Sequence, residues 1–473
     1  MDKRIFLIVE RGRQSSAILT AFMLPITTTG TAIALTLLAV FSLFSASQED
    51  WRHILRFPAA TLPISLFALL AISMLWSPQP FGPGGVSHYA KLLLIPIVMA
   101  GTYSQRQAMH IAYGFAAACM VLLVLSIASL SWGSGPWGWF KGPGVPVKDN
   151  AVQSTCFSLC AFGLGIYSVQ LLRAKQNLTA VCAGVVAVAL FADVFLITLS
   201  KTGVLIALAL AIRLLAYIDG WQIRVAVAIP LCLVAGLAVS FSSEAQRRVK
   251  EISTDLRALK AESSETTKLG ATQTPSPPHK PTTVSPKTKE IESLGTISAE
   301  RAEVVLSGKP TMSTASRLDF WSKAVEFIWQ SPILGHGAGS TKSLYASVEA
   351  DRPSPYGEAV PDPHNQFLAI AIQAGLLGGA LLMSMWTAHL VLFWGTSVPQ
   401  VLGQAVVLQN VLGSLFNSQL SQVTQGTLYC LAVGLLLAML VRREPNLRPD
   451  AYALDVEPQE VVLGQPKSAD RRL

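Results

Sequence analysis

Long apolar runs separated by short polar connections dominate the sequence. The runs fall near 58–76, 88–104, 107–131, 150–172, 177–200, 202–218, 222–242, 364–394, 398–418 and 424–441. Residues 16–46 are too long for one ordinary span, and Pro25 with the TTTG sequence at 27–30 divides them into two short helices. About 20 helical residues cross a bilayer core, and backbone groups in lipid must bond within their own segment. The pattern therefore predicts an all-α polytopic membrane protein with about twelve transmembrane helices.

One long polar segment, 243–363, separates the ninth predicted span from the tenth. Within it, 244–262 is typical of a charged surface helix, and the Pro-, Thr-, Ser- and Lys-rich stretch near 263–296 predicts a disordered insert. Apolar residues at helical spacing over 314–330 predict an amphipathic helix on the outer membrane surface. The predicted domains are a transmembrane bundle of about nine spans at 1–242, a loop domain at 243–363, three further spans at 364–441, and a cytoplasmic tail at 442–473.

The composition agrees with a membrane protein and limits the choice of partners. Of 473 residues, 51% are hydrophobic and only 14% are charged, whereas soluble domains carry about 25% charged residues. The net charge of +8 is attributed to lysines and arginines that mark the cytoplasmic side, so we expect membrane lipids as partners and no nucleic acid. The six cysteines lie in apolar segments without metal-ligand spacing, so we predict no metal site and no cofactor.

The short loops give the orientation of the chain. One side carries a cluster of basic residues, which identifies it as cytoplasmic: Arg11, Arg13, Arg52, Arg56, Arg106, Arg173, Lys175, Arg213, Arg224, Arg442 and Arg443. An even number of spans then places both termini on that side and the long loop on the other. Five cations fall on the outer side, where this bias disfavours them: Lys91, Lys141, Lys148, Lys201 and Arg317. Topology does not explain these charges, so another reason is needed.

A few polar residues on the outer side could carry chemistry. His364 is predicted at the outer start of a span, where the positive field of a helix N-terminus favours neutral imidazole, and neutral imidazole is suited to act as a general base. Arg317 matches the geometry of a phosphate with paired hydrogen bonds, and Lys201 and Lys91 lie at span edges where a cation favours an anionic partner. Together they predict a site for a phosphate-bearing lipid with a hydroxyl to be deprotonated.

Each of these residues also has a structural interpretation. His364 could be an interfacial histidine, Arg317 could pair with Asp319 or with lipid headgroups, and the lysines could extend to the membrane surface. Asp193, inside an apolar span, is interpreted as a structural partner of a lysine. The glycine-rich run SPILGHGAGS at 331–340 does not match a Walker A loop, so its glycines are expected to permit a tight turn or a close backbone approach.

Two strings resemble a known family. SRLDFWSKAVEFIWQSPILGHGAGS is similar to the segment of the O-antigen ligase and polymerase superfamily in which an arginine, a tryptophan and a Pro-x-x-Gly-x-Gly run follow one another. PHNQFLAIAIQAGLLGG is similar to that family's His-Asn-x-x-Leu helix with its later glycines, and both precede a late span. KLLLIPIV near the fourth span extends the resemblance over most of the chain, and FMLPITTTG and FNSQLSQVTQGTLYCLAVGLL look most like ligases.

The resemblance implies a fold, a reaction and a set of site residues. The fold would be that of a C-type membrane glycosyltransferase in the bacterial inner membrane, with the large loop and the active site in the periplasm. The donor would be O-antigen linked to undecaprenyl pyrophosphate, the acceptor would be lipid A–core oligosaccharide, and the transfer would be inverting and metal-independent. His364 matches the family's essential histidine and Arg317 its loop arginine, whereas Lys201 stands where the family usually has arginine. The predicted catalytic residues are His364 and Arg317, and Lys201, Arg317 and Lys91 are predicted to bind the pyrophosphate.

Three alternatives to the ligase stay open. A protein (pilin) O-oligosaccharyltransferase and an O-antigen polymerase would share the site and differ in the acceptor. A lipid-linked sugar transporter is a different class, but it should carry ionisable groups at mid-bilayer and broken paired helices. The candidate residues of this sequence gather at the outer edge, which favours an enzyme.

Overall fold

The computed structural model describes residues 3–79, 84–101, 103–132, 140–241, 312–352 and 362–441. In these ranges the regular structure is helical, and the extended pairing is limited to an isolated bridge between Gly142 and Val145. The prediction of an all-α fold is therefore confirmed. The predicted charged helix at 244–262, the insert at 263–296 and the tail at 442–473 lie outside the described residues.

The helices follow one another along the chain with short connections. They are α1 Lys3–Ile26, α2 Thr28–Ser45, α3 Gln48–Ile54, α4 Pro58–Ser73, α5 Leu94–Met99, α6 Gln105–Trp132, α7 Asn150–Arg173, α8 Asn177–Asp193, α9 Lys201–Tyr217, α10 Trp221–Phe241, α11 Met312–Gln330, α12 Thr341–Asp351, α13 Gln366–Leu392, α14 Val398–Ser414 and α15 Val423–Val441. Short 3₁₀ segments at Met74–Trp76 and Val86–Leu93 and a π-helical turn at Val194–Thr198 complete them.

The predicted spans coincide with α-helices except for 88–104, where a 3₁₀ segment and the six-residue α5 stand in place of one long helix. The predicted division of 16–46 is confirmed. Thr27 interrupts the chain between α1 and α2 with an extended backbone, and its side chain accepts a hydrogen bond from the Gly30 amide as an N-cap. In the described part of the chain, seven helices are long and apolar enough to cross a membrane by length and composition. The protein is thus a multi-pass membrane protein, and the count of twelve spans stays a prediction.

The last three long helices pack directly on the earlier ones. Helix α13 lies against α4, α15 against α5, and α14 against α9. Their contacts form one large apolar core in which Leu66, Leu382 and Val433 are fully buried. The two predicted transmembrane regions, 1–242 and 364–441, therefore share one core.

The amphipathic helix predicted at 314–330 corresponds to α11. Phe320 and Phe327 on one of its faces are buried with Tyr345 of α12 and Ile372 of α13. Two apolar residues of the predicted amphipathic pattern, Val325 and Trp329, point away from this cluster and are 44% and 76% exposed. Helix α11 is therefore apolar towards both the protein and its surroundings, which is typical of a helix at a membrane boundary.

The glycine-rich run fills a break in α13. The backbone of α13 leaves helical geometry at Ala374 and at Gly375, where φ is +65°. The run supplies the hydrogen bonds that the break removes: His336 N to Ile372 O at 2.8 Å, Gly337 N to Gln373 O at 2.9 Å, and Leu376 N to Pro332 O at 2.7 Å. The expected close backbone approach is confirmed.

Replacing Gly375 by alanine should destabilise the protein. A left-handed backbone costs a residue with a Cβ about 1–2 kcal/mol, and the new Cβ would also collide with the carbonyl of Ile333. The matched control is Gly163→Ala inside α7, where a Cβ meets nothing within 4 Å. Thermal unfolding in detergent should show a lower midpoint for Gly375→Ala and an unchanged or higher one for Gly163→Ala. Equal midpoints for the two variants would contradict the assigned break.

Candidate active site

His364 lies in a short segment that leads into α13. Its φ is +50°, a left-handed conformation that is uncommon for a residue with a Cβ. The Asp362 carboxylate accepts a hydrogen bond from the His364 amide at 2.9 Å, and Asn365 caps α13 by accepting from the Leu368 amide. The position of the imidazole is therefore set by this local network and not by the helix itself.

The turn between α14 and α15 packs against the same segment. Ser418 Oγ donates to Asp362 Oδ1 at 2.6 Å, and the Leu420 amide donates to Gln366 Oε1 at 2.7 Å. The side chain of Asn417 lies close enough to the His364 imidazole to raise its pKa. Residues 417–422, named here the 417–422 turn, thus hold both sides of the segment that carries His364.

Helix α11 brings Arg317 to the histidine. One turn further along α11, Trp321 Nε1 donates to Pro363 O at 2.8 Å, and the Phe320 ring centroid lies 6.2 Å from that of His364. Residues four apart share a helix face, so Arg317 lies on the face that holds the histidine segment. Its guanidinium acts on the imidazole electrostatically. The structure therefore brings together the two residues that the sequence predicted as catalytic.

The surroundings of His364 favour its neutral form. Burial is the main cause that lowers the pKa of His364 below its usual 6.5; the Asp362 carboxylate raises it, Arg317 lowers it, and the hydrogen bond with Asn417 raises it. Burial also lowers the pKa of Arg317, but a guanidinium stays charged in proteins. At neutral pH the pair is therefore an uncharged base beside a fixed cation.

A cavity of about 540 Å³ adjoins the segment that carries His364, and its wall includes Asp362, Pro363 and Ser418. Lys141 and Lys148, two of the cations that topology left unexplained, also line it, together with Asp149. The Lys148 ammonium donates to the Leu24 carbonyl and to Thr424 Oγ1, each at 2.6 Å. Both acceptors are neutral, so the wall carries an ammonium group beside the carboxylates of Asp149 and Asp362.

An apolar groove of about 560 Å³ meets the cavity. It is formed by α2, by the 3₁₀ segment Val86–Leu93 with the start of α5, and by the start of α15. Leu35, Leu43 and Ile97 are among the residues that line it, and His88 and Val423 line both the groove and the cavity. The lysine-bearing cavity and the apolar groove therefore share two residues of their walls and lie next to each other in the bundle.

The structure places the two predicted lysine ligands differently. Lys91 lies on the 3₁₀ segment, and its ammonium donates to Ser421 O at 3.0 Å and to Gln422 O at 2.8 Å, both in the 417–422 turn. Lys201 is the first residue of α9, next to the N-cap Ser200, and is not among the described residues that line the cavity. Pyrophosphate binding by either lysine stays a prediction.

Other residues of the site were missed or misassigned from the sequence. Asn417 and Ser418 received no role, although a polar cluster between two apolar spans was a usable signal. Asp193 was expected to pair with a lysine, but it accepts hydrogen bonds from Ser126 at 2.5 Å and Gln153 at 3.4 Å. Since the Gln153 amide, which has two N–H donors, also donates to the Gly144 carbonyl at 3.0 Å, Asp193 is part of a network that anchors the loop of Lys141 and Lys148. The described residues contain no group of three metal-ligating side chains, and metal independence stays a prediction.

Comparison with known protein families finds a match over part of the chain. Residues 185–383 match the family described as O-antigen ligase. No curated protein matches the chain. The family match supports the predicted membership in the O-antigen ligase and polymerase superfamily, whose members are glycosyltransferase-like enzymes. The matched range contains Lys201, Arg317 and His364.

The titration of His364 tests the electrostatics of the pair. Diethyl pyrocarbonate acylates neutral imidazole, so the labelling rate of His364, followed by mass spectrometry, should rise through its pKa with a midpoint below 6.5. Asp362→Asn should move the midpoint to lower pH because it removes a charge that raises the pKa, and Arg317→Gln should move it to higher pH. Exposed His53 is the internal reference. A wild-type midpoint above 6.5, or shifts of both variants in one direction, would contradict the assignment.

Proposed function

We propose that this protein is an O-antigen ligase, which transfers O-antigen polysaccharide from undecaprenyl pyrophosphate to lipid A–core at the periplasmic face of the inner membrane. The observation that carries the proposal is that Arg317 acts electrostatically on His364 beside a cavity whose wall includes the Lys148 ammonium. The family match supports this type of chemistry.

The shape of the site fits a polyprenyl diphosphate donor. In such a donor the reactive anomeric carbon is attached to the diphosphate, and the diphosphate is attached to the lipid. The lipid channel must therefore open close to the catalytic base. The apolar groove meets the cavity at His88 and Val423, so a polyprenyl chain in the groove would place its diphosphate in the cavity. An ammonium has three donors, and the two hydrogen bonds of Lys148 leave one for this diphosphate.

The reaction follows from the two central side chains. The His364 imidazole takes the proton of an acceptor hydroxyl as the oxygen attacks the anomeric carbon from the side opposite to the diphosphate. A new carbon–oxygen bond forms, the bond to the diphosphate oxygen breaks with its electron pair, and the configuration inverts. The imidazolium then releases its proton to water. Undecaprenyl diphosphate leaves without a strong acid because Arg317 and Lys148 stabilise its charge.

The position of the site distinguishes the proposed ligase from a transporter, but not from enzymes that use another acceptor. A protein oligosaccharyltransferase or a polymerase would use the same base and cations on another acceptor. A transporter would need ionisable groups at mid-bilayer, whereas His364 and Arg317 lie at a helix entrance and on the loop helix α11. This placement favours an enzyme and leaves the acceptor to experiment.

Purified protein mixed with lipid-linked O-polysaccharide and lipid A–core should form a ladder of ligated lipopolysaccharide on a gel, with and without EDTA. His364→Ala should lower the rate by about 10²–10⁴-fold, as expected for the loss of a general base. Arg317→Lys should retain part of the activity that Arg317→Ala loses, because it keeps the charge without the paired hydrogen bonds. The matched control is His53→Ala, which removes an exposed histidine in the last turn of α3.

The outcomes separate the candidate functions. A chelator-resistant ladder that depends on His364 supports the ligase. A ladder that forms only on a pilin, or only longer donor chains, would assign the protein to the alternative acceptors. A full ligation rate in His364→Ala would overturn the proposed base.

Lys148 should contribute to donor binding. Since a hydrogen bond to a charged group is worth about 1.5–3 kcal/mol, Lys148→Met should raise the donor KM about tenfold or more with little change in kcat, and Lys148→Arg should recover part of the loss. Lys342→Met, which removes an exposed lysine of α12, should leave both constants unchanged. A fall in kcat at constant donor KM would exclude Lys148 from the diphosphate.

A further inference from the structure

The 3₁₀ segment Val86–Leu93 reaches the catalytic segment through two side chains. Tyr89 is fully buried, and its hydroxyl accepts a hydrogen bond from Gln366 Nε2 at 3.3 Å. Lys91, two residues later, donates to the carbonyls of Ser421 and Gln422. One short segment thus contacts both the first residue of α13 and the 417–422 turn.

The contact of Lys91 continues to the histidine through the turn. Ser421 Oγ donates to Ser418 O at 2.7 Å, and Ser418 Oγ donates in turn to Asp362. Asp362 accepts from the His364 amide, and the Asn417 side chain of the same turn acts on the imidazole. A series of hydrogen bonds through Ser421, Ser418 and Asp362 therefore links Lys91 to the backbone of His364.

The approach of Lys91 to the turn requires a glycine in α15. A Cβ on Gly426 would lie 2.7 Å from Lys91 Cδ, so the lysine stem passes directly over this residue. The Gln422 carbonyl accepts from Lys91 and also from the Gly426 amide at 3.1 Å. The Lys91 ammonium therefore holds the 417–422 turn where it joins α15, and Gly426 of α15 leaves the space that the lysine side chain needs.

We propose that Lys91 is a positioning residue, which fixes the 417–422 turn so that Asn417 and Ser418 hold His364 in the geometry needed for proton transfer. The expected effect of Lys91 on the ligation rate rests on the proposed function, whereas its expected effect on the position of His364 does not. This role differs from the pyrophosphate binding predicted for Lys91 from the sequence. A diphosphate ligand acts on donor affinity, whereas a positioning residue acts on the rate of the bound complex.

The first test measures the state of His364 without any substrate. Lys91→Met removes the ammonium and keeps much of the apolar stem. The diethyl pyrocarbonate labelling rate of His364 at pH 7.5 should rise about threefold or more, because the released turn uncovers and frees the ring. Lys342→Met should leave the rate unchanged, and exposed His53 should label equally in all variants. Equal labelling of His364 in Lys91→Met and wild type would overturn the proposal.

The second test separates positioning from binding. With the ligation assay, Lys91→Met should lower kcat about tenfold or more, with donor KM within about twofold of wild type. Asn417→Ala should also lower kcat, and the double variant should lose less than the product of the two factors, because both changes act on the same series of contacts. A tenfold rise in donor KM at unchanged kcat, or full additivity with Asn417→Ala, would contradict the positioning role.

The two tests also distinguish the failure of this inference from that of the proposed function. If wild type forms no ligated product while Lys91→Met still changes the labelling of His364, the proposed function fails and the positioning role stands. If wild type ligates and Lys91→Met changes only donor KM, the function stands and the positioning role fails. A lower unfolding midpoint without a labelling change would mark Lys91 as merely structural.

Discussion

The structure around His364 depends on one carboxylate oxygen. Asp362 Oδ1 accepts hydrogen bonds from the His364 amide and from the Ser418 hydroxyl, and it thereby stabilises a left-handed backbone that would otherwise cost about 1–2 kcal/mol. The same carboxylate is the charge that opposes the depression of the His364 pKa by burial and by Arg317. Geometry and basicity of the imidazole are therefore set by the same residue, and changes at Asp362 affect both.

The rest of the bundle serves to hold this arrangement in place. The break in α13 receives the glycine-rich run, which connects α11 and its Arg317 to the helix that follows His364. The 417–422 turn closes the opposite side. The glycine-rich run and the 417–422 turn thus lie on opposite sides of the histidine segment, and each is attached to a transmembrane helix. Together they fix the orientation of the His364 imidazole at the start of α13.

Much of the fold followed from the sequence because it is encoded locally. A transmembrane helix is recognised by a run of apolar residues, and Pro25 with the threonines after it located the break between α1 and α2 without any tertiary information. His364 and Arg317 were found because their chemistry is unusual for their surroundings and because their strings resemble a family.

The supporting residues were not predictable in the same way. Ser418 is 56 residues from Asp362, and Thr424 is 276 residues from Lys148, so these pairs are set by packing and leave no local pattern. Asp193 was misassigned because a carboxylate in an apolar span is expected to need a cation, whereas Ser126 and Gln153 satisfy it here. A single sequence shows which polar groups are out of place, but not which distant groups satisfy them.

The most direct measurement is an experimental structure of the protein with a bound polyprenyl diphosphate sugar. It should show the diphosphate on Arg317, the polyprenyl chain in the groove of α2 and α15, and the His364 ring on the side of the anomeric carbon opposite to the diphosphate, with room for a hydroxyl within about 3 Å of the imidazole. A diphosphate held away from Arg317, or a His364 ring on the leaving-group side, would contradict the account.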